Sequence, residues 1–336
     1  MWVFFKPDFM KVFLTGANGF LGQNILQKLL KENHEVVALC YGHSTLVNQP
    51  GLSLINGTVE NKDLVLTSSR GCNVFIHAAA TTSLWPPRHP LHWNVNLKGT
   101  QNMLETALIN KADKFIHVGT ANSFGPGKKS NPGNENTPYI CNKYKLDYFD
   151  SKFAAQNEVF NEFRKSGLPA VVVNPTFMLG KYLNPNGSGK LIISIHQKKV
   201  PGYTSGGRNY VNVGDVADGV YKAIHKGRNG EAYILGHQNL NFREIFEKVS
   251  KSLTAPQPRL YFPKPIALSY GAIQSGLGTL FRFPPTITYQ MARLSVDEHY
   301  YSNEKAKTEL EFQPAEIENG ITEGFSWLKE AGLIMN

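Results

Sequence analysis

Eight residues near the N-terminus, Thr15-Gly16-Ala17-Asn18-Gly19-Phe20-Leu21-Gly22, constrain this chain more than any other feature. They join a short apolar run, Lys11 to Thr15, to a segment where Ile25, Leu26, Leu29 and Leu30 recur at helical spacing. That order predicts strand, tight turn and helix. Gly16 permits the turn, Gly19 lets backbone approach a pyrophosphate at the positive end of the helix, and Gly22 allows close helix packing. A glycine run alone could be only a strand-to-helix turn. In this context it predicts dinucleotide binding, with Gly16, Asn18, Gly19, Phe20, Leu21 and Gly22 against the cofactor.

Further apolar strands are expected at Glu35 to Cys40, Asn73 to His77, Lys114 to Val118 and Ala170 to Val173, with long helical segments at Leu91 to Asn110 and Leu146 to Ser166. Strands alternating with such helices run parallel, and a parallel sheet needs both faces covered. The fold class expected is therefore α/β, a Rossmann-type doubly wound sheet, with a smaller, mainly helical C-terminal lobe. Residues 1–9 read as an extension before Met10, and 10–180 as the nucleotide-binding domain. Pro201 to Asn209 reads as a Gly-rich loop. A strand at Tyr210 to Val213 and a helix from Asp215 to Lys226 read as a return to the sheet, completed by about 210–235. Residues 181–209 and 236–336 then form the substrate lobe, since clefts commonly open between lobes.

With 41% hydrophobic and 18% charged residues, the 336-residue chain can build such a core, which excludes disorder. The net charge of +9 is spread in ones and twos, as in Lys128 with Lys129, so it suits a solvated basic surface better than a nucleic-acid stripe. Cys40, Cys72 and Cys141 are odd in number and form no CxxC pattern, which points to a reduced, cytoplasmic setting. The first nine residues are too short for a secretory signal. Ile266 to Phe281 comes closest to a membrane span, but its three glycines and its polar residues indicate a buried or interfacial helix instead of stable insertion.

The glycine spacing is GxxGxxG, and later segments add to it. His77-Ala78-Ala79-Ala80 looks like an HxAA strand end, Asn96-Leu97-Lys98-Gly99-Thr100 like NVxGT, Gly119 to Gly125 like SSxxVYG, and Tyr148-Phe149-Asp150-Ser151-Lys152 like YxxSK. Asn174-Pro175-Thr176 and Arg208 to Asp215 resemble later segments. In that order these motifs resemble the extended short-chain dehydrogenase/reductase superfamily of epimerases, dehydratases and reductases, closest to its dihydroflavonol-reductase-like members. The resemblance implies Tyr41, Thr58, Val59, Ala78, Ala79, Ala80, Asn174 and Pro175 along the cofactor, Lys152 on the nicotinamide ribose, and a homodimer.

Tyr148 and Lys152 are four apart on an expected helix and share a face, where a fixed ammonium would favour phenolate. A tyrosine so tuned can give a proton to a nascent alkoxide or take one from an alcohol while the nicotinamide exchanges hydride. Thr120 would hydrogen-bond the same substrate oxygen. Tyr139 and Lys143 repeat the spacing and are a decoy, because only Tyr148 continues into the SKxxAE-like run from Ser151 to Gln156.

The end of the second strand reads Cys40-Tyr41-Gly42-His43-Ser44, without the acid that would bind the adenosine ribose of NAD. Nothing there repels a 2′-phosphate and no Arg attracts one, so the balance tips only modestly to NADP(H). Thr58 stands where an Asp often lies near the adenine. His77 reads as a structural strand-end histidine, and no metal is expected. After Thr120 come Ala121 and Asn122, where sugar 4,6-dehydratases carry Asp and Glu, so dehydration by that route is not expected.

Three readings of the activity remain. Arg208, in a segment like the diphosphate-clamping RDFV, is the case for a nucleotide-sugar epimerase with tightly held NAD. The case for a reductase is the apolar, aromatic cast of the expected pocket, from Thr81 to Trp85, at Phe177 and Met178, and along the helix from Ile266 to Phe281. Its substrate would be a small, largely apolar ketone or aldehyde, or the corresponding alcohol, met by Thr82, Ser83, Asn174, Phe177 and Arg208. A non-catalytic cofactor-binding sensor is the third reading, and it would have no need of Tyr148.

Overall fold

The computed structural model describes residues 9–44 and 46–334; the expectation for residues 1–8 lies outside them. In the first half, strands β1 (Lys11–Thr15), β2 (Glu35–Cys40), β3 (Leu52–Asn56), β4 (Val74–His77), β5 (Lys114–Val118) and β6 (Ala170–Pro175) alternate with helices. These are α1 (Phe20–Lys31), α2 (Lys62–Ser68), α3 (Pro90–His92), α4 (Gly99–Ile109) and α5 (Asp147–Ser166). A π-helical turn, Trp93–Lys98, links α3 to α4. Next come β7 (Phe177–Leu179), α6 (Gly189–His196), β8 (Gly202–Tyr203), β9 (Gly207–Asn212), α7 (Val213–Lys226), β10 (Ala232–Leu235), β11 (Gln238–Asn241) and α8 (Phe242–Ser252). The chain ends through β12 (Leu260–Tyr261), α9 (Lys264–Phe281), α10 (Tyr289–Val296), β13 (Glu298–His299), α11 (Glu304–Leu310) and α12 (Ile317–Glu330).

The central sheet has seven strands in the order β3-β2-β1-β4-β5-β6-β10, and every pairing is parallel. Successive residues of a strand face opposite sides, so Val12 and Leu14 enter one core layer and Phe13 the other. The first layer is closed by α1, through Ile25, Leu26 and Leu29, and by α7, through Val216 and Val220. The second takes Met103 and Leu104 of α4 and Val159 of α5. This is the Rossmann-type doubly wound architecture, in which ligands sit beyond the carboxyl ends of the strands.

Three expectations are corrected. The strand over 210–213 does not return to the central sheet: it is part of β9, which pairs with β7, β11 and β13 in a separate small sheet. The large sheet is completed instead by β10 beside β6. An apolar run is satisfied by burial in either sheet, so its composition does not choose between them. The segment at 201–209 is not all loop, since β8 and the start of β9 lie within it. Helix α9 covers the apolar segment at 266–281; of the two alternatives expected there the buried one is excluded, because most of the helix faces solvent and only Gly271 and Gly278 are buried.

The turn between β1 and α1 is built by backbone meeting backbone. Gly16 has φ +68, and a Cβ on it would lie 2.7 Å from the Ala79 amide nitrogen. A Cβ on Gly22 would lie 1.9 Å from the Gly16 carbonyl oxygen. Gly22→Ala must therefore push α1 off the turn, at about 1–3 kcal/mol. Thermal denaturation should show a Tm several degrees lower, and cofactor titration an affinity weakened about tenfold or more. An unchanged Tm would remove the packing role given to Gly22.

Candidate active site

The first turn of α1 is where the sequence places a phosphate. Gly19 caps it without a side-chain hydrogen bond, and no acidic residue stands in that turn, so its amides and positive dipole end remain for an anion. The absent side chains of Gly16 and Gly22 make a cradle that any Cβ would fill. These residues fit a dinucleotide pyrophosphate. The Leu21 side chain is core, and Phe20 packs against it. Asn18 works sideways, donating from Nδ2 to the Tyr41 carbonyl at 2.8 Å and accepting from the Tyr41 amide at 3.3 Å. It thereby fixes the start of the loop after β2.

That loop borders a cavity of about 300 Å³ lined by Cys40, Gly42, His43, Ser44, Leu54, Ile55 and Asn56. No carboxylate and no arginine is among these residues, in keeping with the sequence. Tyr41 itself turns outward and is 75% exposed, while Asn56, at the end of the edge strand β3, carries no sequence signal that would single it out. Thr58 hydrogen-bonds the Glu60 carboxylate at 3.2 Å, and the Val59 side chain is buried. At the end of β4, the Ala79 amide donates to the Thr15 hydroxyl at 3.2 Å, which sets Ala78 to Ala80 beside the glycine turn. His77 is structural: its ring nitrogens engage Thr15 at 2.8 Å and Thr100 at 3.1 Å, and burial together with the nearby Lys152 pushes its pKa down to about 3.

Thr120, Tyr148 and Lys152 meet where β5 ends against α5. Lys152 is buried, donating from Nζ to the Val118 carbonyl at 2.6 Å with His117 Nε2 at 3.5 Å. Tyr148, one turn earlier, interacts with the Thr120 hydroxyl. The electrostatics differ from the expectation of an ammonium-stabilised phenolate. Burial raises the Tyr148 pKa, and the Thr120 interaction offsets only part of that rise. Burial also pulls Lys152 down to about 7, so near neutrality its charge is only partly present.

Tyr139 is engaged elsewhere. Its hydroxyl donates to Asp150 at 2.6 Å, its ring stacks on Phe153 at 4.2 Å, and burial with the Asp150 carboxylate drives its pKa far above the usual range. Its spacing partner Lys143 lies in a separate short turn and pairs with Asp297 at 3.2 Å.

Amide side chains hold the segment that carries Thr120 against α5. Asn174 donates from Nδ2 to the Thr120 carbonyl at 3.0 Å and to Gln156 Oε1 at 2.7 Å, while its Oδ1 is buried without a partner. Pro175, next to it, is buried at the end of β6. Asn96 accepts from the Thr81 amide at 2.9 Å and donates to the Ser151 hydroxyl at 3.0 Å, tying the loop after β4 to α5. Its NLKGT context is visible in the sequence, although its role is not. Asn122 accepts from the Tyr301 hydroxyl at 3.3 Å and lies 3.3 Å from His299 Nδ1. His299 in turn meets the Tyr144 hydroxyl at 2.9 Å. Burial, with Arg208 adding to it, holds His299 neutral, its pKa down at about 3. No local pattern announces His299 or Tyr301.

The residues expected around the substrate are not all equivalent. Thr82 and Ser83 are exposed, and Ser83 spends its hydroxyl on the Trp85 carbonyl at 2.6 Å. Phe177 packs edge-on against Tyr210 at 5.4 Å, and the Arg208 guanidinium lies over the Phe177 ring at 5.4 Å. Leu84 and Tyr148 pack against one apolar cluster with Tyr144, Phe149 and Leu294. Beyond Leu84, Trp85, Pro86 and Arg88 form one wall of a groove of about 500 Å³ whose other wall is α9 and α10, through Ser275, Thr279 and Tyr289.

Comparison with known proteins shows the family and the fold. Residues 12–236 match the NAD dependent epimerase/dehydratase family. A Synechocystis protein provisionally named dihydroflavonol 4-reductase is 26% identical over 329 residues, covering 96% of this chain and 95% of its own length. Sterol demethylase protein B of Methylococcus capsulatus is 23% identical over 332 residues, covering 97% of this chain and all 100% of its own. The dTDP-glucose 4,6-dehydratase of Bacillus anthracis, solved with NAD, has the same fold at a TM-score of 0.76 and 19% identity, covering 96% of this chain and 97% of its own. The chain belongs to the NAD dependent epimerase/dehydratase family and is an NAD(P)-dependent oxidoreductase acting on CH–OH/C=O groups.

Proposed function

We propose that this enzyme reduces the ketone or aldehyde of a small, largely apolar substrate, with Tyr148 as proton donor, and that it takes NADPH at least as well as NADH. The observation that carries the reading is the half-buried phenol of Tyr148, set beside Thr120 and one helical turn from Lys152, where burial raises its pKa. A protonated phenol is the form reduction needs, since it can neutralise the alkoxide as it develops. A reduced nicotinamide, when bound, would supply the hydride for the new C–H bond of the alcohol. The Tyr148 proton goes to the former carbonyl oxygen. The Thr120 hydroxyl donates to that oxygen and steadies its charge. Lys152 would hold the nicotinamide ribose, with Ala78 to Ala80, Asn174 and Pro175 as the further residues expected to hold the cofactor. Support for an apolar substrate comes from Phe177, Leu84 and Trp85, and from the flavonoid and sterol in the names of the two relatives. The cavity after β2, free of carboxylate, supports NADPH.

Tyr148→Phe should cut turnover by roughly a hundredfold or more with cofactor affinity nearly intact, while Tyr139→Phe stays active. Steady-state rates and cofactor titration on both variants check this, and the reverse pattern would move the acid to Tyr139.

A reductase releases its cofactor each cycle, whereas an epimerase keeps it and shows no net consumption. The protein should therefore purify largely free of nicotinamide, consume NADPH stoichiometrically with an aromatic or aliphatic ketone or aldehyde, and leave UDP-sugars unchanged. Arg208→Ala should alter activity only a few-fold, because Arg208 packs on Phe177; a diphosphate clamp lost would cost about thirtyfold in affinity. Retained cofactor with interconversion of a UDP-sugar pair would make the enzyme an epimerase.

The buried amine gives a prediction in stability. Folded Lys152 titrates near 7 against an ordinary 10.5, so between those values the unfolded chain binds more protons and stability rises with pH. The penalty for burying its charge is complete below pH 7. Lys152→Met should thus raise Tm most at acidic pH, with the gain shrinking as pH rises toward 10.5. Paired Tm–pH curves test this, and a gain that does not vary with pH would remove the buried ammonium as its cause.

A further inference from the structure

Helix α9 presents Ile266, Tyr270, Ile273, Leu277, Leu280 and Phe281 to solvent, between 40% and 72% exposed. The first five, spaced by four, three, four and three residues, share one face, a stripe about 21 Å long that Phe281 extends. A soluble helix normally turns such a stripe inward. Here the inward positions are glycines instead: a Cβ on Gly271 would meet Ala292 at 2.6 Å, and one on Gly278 would meet Pro285 at 2.6 Å. The small residues let α9 lie close on α10 and leave its large side chains outside. An exposed patch of this kind marks an interaction surface.

The charge around it selects the partner. Between Glu247 and Asp297 the sequence contains no acidic residue. Lys264 at one end of α9 and Arg282 at the other are exposed, as is Arg259 five residues before Lys264 in the chain. A second copy of the helix would bring basic against basic in either direction: Lys264 to Lys264 when parallel, Lys264 to Arg282 when antiparallel. No carboxylate on this face would relieve that repulsion. An anionic bilayer surface satisfies both halves of the face, taking the apolar stripe at the acyl boundary and the cations among the headgroups, with tyrosines at the polar level. No helix among the described residues is long and apolar enough to cross a membrane, so the geometry is one of lying on the surface.

We propose that α9 and its basic flanks dock this enzyme on anionic lipid bilayers. The proposal concerns where the enzyme sits, and it holds whichever carbonyl the site reduces. The full chain should co-sediment with vesicles of phosphatidylcholine containing phosphatidylglycerol and bind pure phosphatidylcholine about tenfold or more weakly, with the difference shrinking at high salt. Ile273→Ser with Leu280→Ser, and separately Arg259→Glu with Lys264→Glu, should each reduce binding about tenfold or more at unchanged Tm and unchanged turnover of a water-soluble carbonyl. Absence of vesicle binding by the wild-type chain, or binding that survives both pairs of substitutions, would overturn the proposal. So would sedimentation velocity showing a dimer that Ile273→Ser with Leu280→Ser splits, with no lipid effect, for the face would then belong to a second copy.

Discussion

The contact on which the site depends is the approach of the Gly16 to Gly22 turn to its own helix and to the end of β4. Gly22 lies so near the Gly16 carbonyl, and Gly16 so near the Ala79 amide, that no side chain fits between them. Removing those Cβ atoms brings three backbone segments together at the carboxyl edge of the sheet. The first turn of α1 is left uncapped, facing the strand ends. Once β1, α1 and β4 are fixed this way, parallel pairing carries the register outward to β5 and β6. Thr120 and Asn174, which sit just past or at the ends of those strands, inherit their positions from it.

A second constraint arises from ending so many strands at one edge, because each end exposes backbone groups that helices and ladders cannot satisfy. Asparagine meets that need repeatedly, since one amide both donates and accepts. Asn96 and Asn174 tie α5 to the loops after β4 and β5. Asn209 spans the small sheet, accepting from Thr176 and donating to Asn239 and the Tyr301 carbonyl. Asn212 accepts from the Gly320 amide and donates to the Ala315 and Glu316 carbonyls, anchoring α12. The C-terminal lobe is thus held to the sheet partly by polar links that are costly to break when buried.

Legibility in the sequence divides along the range of the interactions. Strands β1, β2, β4, β5 and β6 are legible because each is a short apolar run next to a turn or helix signal. β3 is not, since it is an edge strand whose residues are only partly buried. The preference for Tyr148 over Tyr139 rests on the Ser151 to Gln156 run that continues its helix, while the Tyr139 hydroxyl donates to Asp150. His299 and Tyr301 are out of reach: they meet Asn122 across more than half the chain, and only the folded lobe brings them there. The exposure of the α9 stripe is hidden for a different reason, because hydrophobicity reports a tendency to leave water and not the partner that removes it.

The same limit applies to charge. Spacing on a helix places Lys152 beside Tyr148, yet it says nothing of how much water surrounds the pair. With water excluded, the amine loses affinity for its proton and the phenol holds its own more tightly. Both shifts oppose an ion pair in the site, and both favour a neutral donor facing a carbonyl. A polyanionic dinucleotide entering along α1 would move Lys152 the other way, since negative charge stabilises the ammonium.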